Sequence, residues 1–315
     1  MFFLLKLSMT RGMAKGWNGF VWMLKILVPI SFLTSLLAWS GWIYRLDFIL
    51  EPVMGLIGLP AVAALPLFAG LLTGIYGAIA AMALLPMTVD QMTLVAIFLL
   101  ISHNLIQESM IQSQSGLSFL KATTFRLIAS IVTVMAASCF MDPESSVAVI
   151  LATAPVPTHE PFLSMLNTWL LTTLVLSGKI LAIIMTLMMV LEIMKSYHLI
   201  DRIVRMMSLV LKTLGLGKQS GFLWLTAAAF GLTYGAAVIV EEVKEGNLSK
   251  DELERLHLSI GINHAMIEDP ALFLSLGLSP FWLWGPRLAT AILAVQLLII
   301  TRRLIPFSKF FISRR

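Results

Sequence analysis

The sequence predicts an all-α polytopic membrane protein made of two inverted repeats, with about six transmembrane helices, two re-entrant helical hairpins and two interfacial helices. Three observations support this class: the composition, a set of landmarks that recurs along the chain, and the placement of basic residues. Of 315 residues, 58% are hydrophobic and 12% are charged, whereas soluble domains are roughly a quarter charged. The lipid bilayer is therefore the first expected partner.

Landmarks in the first half of the chain recur in the same order in the second half, displaced by 154 to 161 residues. We interpret this recurrence as an internal duplication. It divides the chain into a first repeat (1–140), an extracytoplasmic linker (141–161) and a second, inverted repeat (162–315). The landmark pairs are Lys25 and Lys179, Asp47 and Asp201, Gly58 and Gly215, Tyr76 and Tyr234, and His103 and His264.

Each repeat contains the same types of segment. Apolar stretches long enough to span a bilayer are 19–39, 91–112, 119–140, 164–194, 254–276 and 281–301. Short amphipathic stretches, which favour helices in the membrane interface, are 46–58 and 199–213. The segments 61–87 and 220–241 are apolar but interrupted by glycines, so each is either a span or a re-entrant hairpin.

Basic residues decide between these two topologies, because they concentrate on the cytoplasmic side. Eight full crossings would place Lys121 and the basic stretch 195–218 outside. Two re-entrant hairpins and six crossings put these residues inside and leave only Arg45 and Arg287 on the outer side. Three crossings per repeat also invert the second copy, a recurring transporter plan. We therefore predict a bacterial inner-membrane protein with cytoplasmic N- and C-termini.

Two polar helical stretches stand out in the apolar sequence. A histidine in each is followed at the fourth and fifth positions by amide or carboxylate side chains, and an asparagine adjoins it. Ionisable residues inside a membrane are costly and usually mark substrate or ion pathways. The candidate binding residues are His103, Asn104, Gln107 and Glu108 in the first stretch, and Asn263, His264, Glu268 and Asp269 in the second.

Structural pairing is the alternative role for these carboxylates, with a lysine in each repeat as partner. Lys25 lies near the end of its span and could extend to the interface. Lys179 lies deeper and is a candidate counter-charge. The histidines could relay protons, bind a metal or join helices by hydrogen bonds, and their identity as metal ligands stays unknown.

The glycine-broken segments supply a second group of candidates. Irregular backbone at membrane depth is tolerated where it is buried in protein or lines a cavity, so the tips could bind a solute or a coupling ion. Close helix packing through small residues explains the same glycines equally well. The candidate residues are Thr73, Tyr76, Thr233 and Tyr234.

Other function classes lack their sequence signals. The chain has no phosphate-binding glycine loop, metalloprotease motif or nucleophile elbow, and its one cysteine, Cys139, has no evident base. We therefore predict that it is not an enzyme. Neither a nucleic-acid partner nor a cofactor is expected, apart from Na⁺ or H⁺ as a coupling ion.

The stretch Leu50–Pro60, the glycine-broken segment and the Ser102-His-Asn helix resemble the nucleoside-recognition or Gate domain family. That family includes spore-maturation A and B proteins, the gate of ferrous-iron transporters and a core related to concentrative nucleoside transporters. The resemblance implies a re-entrant hairpin per repeat, with sites at 73–76, 103–108, 233–234 and 263–269. The chain lacks the GTPase domain of iron transporters and the extra leading spans of nucleoside transporters.

These features predict a secondary transporter that moves a small polar solute, such as a nucleoside-like compound or an organic anion, by alternating access. Coupling to H⁺ or Na⁺ is expected. Two alternatives stay open at this stage: a non-transporting scaffold or gate subunit that works with a membrane partner or as a homo-oligomer, and a pathway for divalent metals.

Overall fold

The computed structural model describes residues 2–42, 47–141, 161–197, 206–231, 239–240, 242–243 and 248–304, and these residues contain helices but no strands. The first half contains α1 (Phe2–Trp39), α2 (Asp47–Gly55), a 3₁₀ turn (Ala61–Ala63), α3 (Ala64–Thr73), α4 (Ile75–Met82), α5 (Val89–Ser102), α6 (Leu105–Gln114) and α7 (Phe119–Ser138). The second half contains α8 (Phe162–Ser196), α9 (Ser208–Thr213), α10 (Lys218–Phe230), α11 (Lys250–Asn263), α12 (Glu268–Phe273), a 3₁₀ turn (Leu274–Leu276) and α13 (Pro280–Leu304).

Five helical stretches among the described residues are long and apolar enough to cross a membrane: Leu5–Trp39, Val89–Gln114, Phe119–Ser138, Phe162–Met194 and Pro280–Arg303. The predicted class of all-helical membrane protein is thereby confirmed. The sixth predicted crossing, 254–276, is divided into α11 and α12 and is not among these five. Helix α11 has 14 residues, and its first turns carry the charged residues Lys250, Asp251, Glu252, Glu254 and Arg255.

The predicted interfacial and broken segments have helical counterparts. Helix α2 lies within 46–58 and α9 within 199–213, although residues 199–205 are outside the described part. In segment 61–87 the helix is interrupted at Gly74, whose φ of 87° suits glycine and is strained for other residues. The second segment reaches the equivalent Gly231, with φ 82°, and residues 232–238 beyond it lie outside the described part.

Helix α5 lies at the centre of the fold. Every residue from Met92 to Ser102 is buried, which agrees with the rule that a helix apolar on all sides belongs in an interior. Its start is defined by a capping box, in which Thr88 Oγ1 accepts from the Gln91 backbone and Gln91 Oε1 accepts from the Thr88 backbone. Such reciprocal bonds satisfy amides that have no partner inside the helix.

The two longest helices, α1 and α8, pack against each other in antiparallel orientation. Ser8 bonds to Ser196 near one end of the pair, and Thr173 donates to Ser31 towards the other. Gly12 permits the close approach, because a Cβ atom there would lie 2.6 Å from the Cα of Met189. The leading helices of the two predicted repeats, α1 and α8, therefore contact each other and run in opposite directions.

Candidate functional site: a buried cluster of histidines, carboxylates and arginines

Each polar stretch breaks its helix at the histidine. Helix α5 ends at Ser102, His103 is extended (φ −60°, ψ 160°), and Asn104 adopts the left-handed conformation (φ 45°) before α6 begins. In the second half His264 is extended (φ −73°, ψ 160°) and Ala265 has φ 46°. A positive φ is uncommon for residues other than glycine, so both breaks maintain the same unfavourable backbone.

A matching hydrogen-bond pattern fixes each break to the glycine-broken segment of its own half. Gly70 O accepts from the amides of Gly74 and Asn104, each at 3.0 Å. Ala227 O accepts from the amides of Gly231 at 2.9 Å and Ala265 at 3.1 Å. The two halves thus share one local architecture around their helix breaks.

The two breaks bring their histidines together. The rings of His103 and His264 are tilted by 36° with centroids 5.0 Å apart. His103 Nε2 lies 3.2 Å from Glu108 Oε1 and 3.3 Å from Asp269 Oδ2, and His264 Nε2 lies 3.0 Å from Glu108 Oε2. All four side chains are buried, so the stretches predicted from the sequence form one site.

Two arginines that were not among the candidate site residues complete the site. Arg126 Nε donates to Ile101 O and its Nη2 donates to His103 O, both at 2.8 Å. Arg287 Nε donates to Ile262 O at 3.0 Å and its Nη2 donates to His264 O at 2.8 Å. The guanidinium groups thus bind carbonyls near the helix breaks, where the helical ladder supplies no partner. We call His103, Glu108, Arg126, His264, Asp269 and Arg287 the central cluster.

The charge pattern predicted Arg287 on the outer side of the membrane, and in the structure its side chain is fully buried. A usable signal existed in the sequence, because Arg126 and Arg287 are 161 residues apart, as are His103 and His264. Basic residues in apolar sequence are expected at membrane edges. For this reason the correspondence between Arg126 and Arg287 was not recognised. Lys179, the predicted counter-charge, lies exposed on α8 and outside the central cluster.

The two carboxylates of the central cluster occupy equivalent positions but make different contacts. Glu108 Oε2 lies 2.5 Å from Arg126 Nη2, and the same carboxylate contacts both histidines. Asp269 is one methylene shorter and contacts His103. Within the described residues, Asp269 has no ion pair with Arg287.

Buried polar groups in the second half also lack partners among the described residues. The side-chain amide of Asn263 is fully buried, and neither its oxygen nor its nitrogen makes a hydrogen bond there. Arg287 Nη1 is likewise without a hydrogen bond in this part of the chain. Unsatisfied buried polar atoms are rare in folded proteins and call for a ligand, ion or water.

The remaining candidates lie around the central cluster or away from it. Tyr76 donates a 3.1 Å hydrogen bond to Glu268 Oε1, which joins α4 of the first half to α12 of the second. Thr73 donates to Ala69 O within its own helix, and the Asn104 amide packs against Gly74. Gln107 is exposed. The candidates Thr233 and Tyr234 lie outside the described residues.

Carboxylates and guanidinium groups are nearly balanced in this region. Glu108, Asp269 and the adjacent Glu268 contribute three carboxylates, and Arg126 and Arg287 contribute two guanidinium groups. When all three carboxylates are ionised and both imidazoles are neutral, the region carries one excess negative charge. In that protonation state the attraction to a cation is stronger in this buried environment than in water.

Comparison with known proteins supports the resemblance noted from the sequence. Residues 20–154 match the Gate family, described as nucleoside recognition. Residues 20–154 are therefore similar to a Gate domain, and we call them the Gate-like region. This Gate-like region contains His103, Glu108 and Arg126 of the central cluster, and the remaining three members lie beyond its C-terminal boundary.

A curated relative matches over nearly the whole chain. The chain is 28% identical over 289 residues to a protein of Bacillus subtilis (strain 168) named "Uncharacterized membrane protein YvoD". The aligned region covers 90% of this chain and 91% of the relative. No solved structure matches. The relative therefore extends the similarity through both the Gate-like region and the second half.

Proposed function

We propose that this protein is a secondary transporter that moves a small polar solute or ion across the bacterial inner membrane by alternating access. One observation carries the proposal: two equivalent helix breaks, one from each half, meet in a single buried cluster of charged residues. Transporters with repeated halves commonly bind substrate between the repeats, at discontinuous helices near the membrane midplane. The central cluster likewise lies at two interrupted helices, one from each half, and consists of polar and charged side chains.

The proposal includes two inverted repeats. Equivalent contacts support the duplication, because Arg126 and Arg287 donate to carbonyls at the same sequence separations of 25 and 23 residues. The antiparallel packing of α1 against α8 supports the inversion, since these helices lead the two repeats. Repeats related in this way can exchange conformations and open the site alternately to each side.

An ion-pair network supports the six-crossing topology with re-entrant hairpins. Glu254 pairs with Lys121 and with Arg302, and Arg302 also pairs with Asp251. Eight crossings would place Lys121 outside and Arg302 inside, so these groups would not meet. Six crossings place all four in the cytoplasm, together with the N- and C-termini.

The central cluster is better explained by transport than by structural support alone. A buried ion pair is weak evidence of stability, because desolvation of the charges offsets much of their attraction. Here the charges gather where both halves contribute a strained break, whereas simple pairing could occur within either half. Backbone strain of this kind persists where the surroundings impose it and is concentrated at functional sites.

Uptake by proteoliposomes tests the proposal. The panel contains nucleosides, organic anions, and monovalent and divalent cations, each with and without an imposed H⁺ or Na⁺ gradient. We expect saturable uptake of one class that Glu108→Gln lowers about tenfold or more, because the substitution removes a buried charge that contacts three cluster residues. Gln114→Ala, at an exposed position of the same helix, is the matched control and should leave uptake unchanged.

Unsaturable background flux for the whole panel would overturn the proposal. A scaffold or gate subunit would instead co-purify with a stoichiometric membrane partner, and its function would be unaffected by Glu108→Gln. The gradient arms of the experiment decide whether H⁺ or Na⁺ is the coupling ion.

A further inference from the structure

The hydrogen bonds of the two histidines determine which ring nitrogen faces the central cluster. His103 Nδ1 lies 2.8 Å from Leu99 O, and His264 Nδ1 lies 3.0 Å from Ile260 O. A carbonyl oxygen only accepts, so each Nδ1 carries a hydrogen and donates it. In the neutral ring the other nitrogen, Nε2, therefore presents a lone pair. Metal-ligating histidines are commonly oriented by such a bond to a backbone carbonyl.

These Nε2 atoms face carboxylate oxygens. His103 Nε2 is 3.2 Å from Glu108 and 3.3 Å from Asp269, and His264 Nε2 is 3.0 Å from Glu108. A neutral imidazole nitrogen and an ionised carboxylate are both acceptors, and His264 Nε2 makes no hydrogen bond within the described chain. Several buried lone pairs that point at one another are stabilised by a cation that they share.

The spacing of the ligand atoms suits a single ion. One ligand atom from each of His103, Glu108 and His264 lies within 4.8 Å of the other two. Ligand bonds of about 2.0–2.1 Å in tetrahedral geometry place neighbouring ligand atoms about 3.4 Å apart. The nitrogen-to-oxygen contacts of 3.0–3.3 Å are close to this value, so small side-chain shifts complete the shell.

We propose that His103, His264 and Glu108 bind one divalent transition-metal ion and that Asp269 supplies a fourth ligand. Two imidazoles and two carboxylates favour ions such as Zn²⁺, Co²⁺ or Fe²⁺ over Mg²⁺ and Ca²⁺, which prefer oxygen ligands throughout. Arg126 contacts Glu108 Oε2, which also lies 3.0 Å from His264 Nε2, whereas Oε1 lies 3.2 Å from His103 Nε2. Arg126 thereby orients the ligating carboxylate, as outer-shell partners do in metal sites.

This site follows from ligand geometry and does not rest on the transport proposal. An ion bound here could be the transported species or a resident ion at the junction of the halves, and the uptake panel separates the two. Binding without transport would retain the metal site and overturn the transport proposal. Uptake without metal binding would retain the transport proposal and overturn the metal site.

The test is a titration of the purified full-length chain in detergent with Co²⁺ alone. Co²⁺ in a four-coordinate nitrogen and oxygen shell gives visible absorption bands, and the increase in absorbance counts the bound ions. We expect one ion per chain, displacement of Co²⁺ by Zn²⁺, no displacement by Mg²⁺, and a rise in the midpoint of thermal unfolding, because a ligand that binds only the folded state stabilises it.

Substitutions assign the ligands. His103→Ala and His264→Ala should each weaken Co²⁺ binding about a hundredfold or more, because ligand loss exceeds the effect of losing an outer-shell partner. Asp269→Asn should weaken binding less than either, because the amide oxygen remains as a neutral ligand. The matched control is His257→Gln, which changes a buried histidine whose Nε2 bonds to Ser115 O outside the cluster. Its Co²⁺ spectrum should be unchanged.

Glu108→Gln provides a variant of nearly the same shape for the case in which an alanine variant does not fold. It should fold, remain monodisperse and lose the visible bands. The proposal is overturned if the folded wild-type chain shows no Co²⁺ bands, or if Glu108→Gln and the histidine variants bind Co²⁺ as tightly as the wild type.

Discussion

The Gate-like region and the second half build the same scaffold around their histidines but differ in the contacts of their carboxylates. In the Gate-like region, Glu108 reaches Arg126 and both histidines. At the equivalent position in the second half, Asp269 contacts His103 and forms no ion pair with Arg287 among the described residues. Buried side-chain atoms without a hydrogen bond in the described part occur in both halves, among them Arg126 Nη1 and Arg287 Nη1. The difference of one methylene group therefore accompanies an ion pair that one half has and the other lacks.

The carboxylates are the feature in which these two similarly built regions differ most clearly. A guanidinium group and two imidazoles contact Glu108, whereas one imidazole contacts Asp269. Variants of the arginines, of the glycines at the helix breaks and of the carboxylates test whether this difference affects stability.

The largest expected effect tests whether the two arginines differ as their contacts do. Arg126→Gln should lower the free energy of unfolding by about 3–5 kcal/mol, because it leaves Glu108 buried without its ion-pair partner. Arg287→Gln should cost less, since it removes bonds to carbonyls but breaks no ion pair among the described residues. Reversible unfolding in mixed micelles measures both, and equal losses would contradict the proposed difference.

A smaller effect is expected at the glycines that interrupt the two broken segments. An alanine at Gly74 or Gly231 must adopt a φ above 80°, at a cost of about 1–3 kcal/mol. Gly74→Ala should be the more destabilising, because its Cβ would lie 2.7 Å from Asn104 Nδ2, whereas the nearest described atom to a Cβ at Gly231, in Ala265, is 4.0 Å away. Paired melting curves of the two variants in the same detergent make this comparison. A larger loss for Gly231→Ala would show that the residues beyond it pack more tightly than this contact indicates.

The smallest effects are expected from exchanging the lengths of the two carboxylates. Glu108→Asp should lower the free energy of unfolding by about 1–3 kcal/mol, because the shorter side chain leaves buried partners unsatisfied. Asp269→Glu should be neutral or slightly stabilising, because the added methylene lets the carboxylate approach Arg287. Unfolding measurements on both single variants and the double variant separate the effects. A destabilising Asp269→Glu would show that side-chain length does not cause the asymmetry.

Local sequence signals predicted much of this fold. Runs of apolar residues located the spans confirmed by α1, α5 with α6, α7, α8 and α13, because helices of that length and composition satisfy their own backbone in lipid. Glycine at position 74 predicted a break, and the structure has one there. Both histidine stretches were predicted as candidate binding residues, and the rings of His103 and His264 are 5.0 Å apart.

The role of both arginines was missed because charged residues were considered one at a time. Arg287 was assigned to the outer side from its charge alone, and its side chain is buried; the candidate counter-charge Lys179 is exposed. Whether a long basic side chain turns inward depends on the carbonyls and carboxylates that other helices offer it. Those partners are distant in sequence: Arg287 bonds to residues 23 and 25 positions away, and Tyr76 to a residue 192 positions away.

The sequence by itself determined that the chain is a helical membrane protein, that glycine interrupts the segment 61–87 and which polar stretches correspond, because these properties depend on local composition and spacing. Only the tertiary structure decided that Arg126 and Arg287 bind the carbonyls at the breaks, and that Glu108 joins an ion pair that Asp269 does not form. The physical reason is that desolvation and ion pairing depend on distances of a few ångströms between side chains. Residue spacing along the chain does not specify those distances.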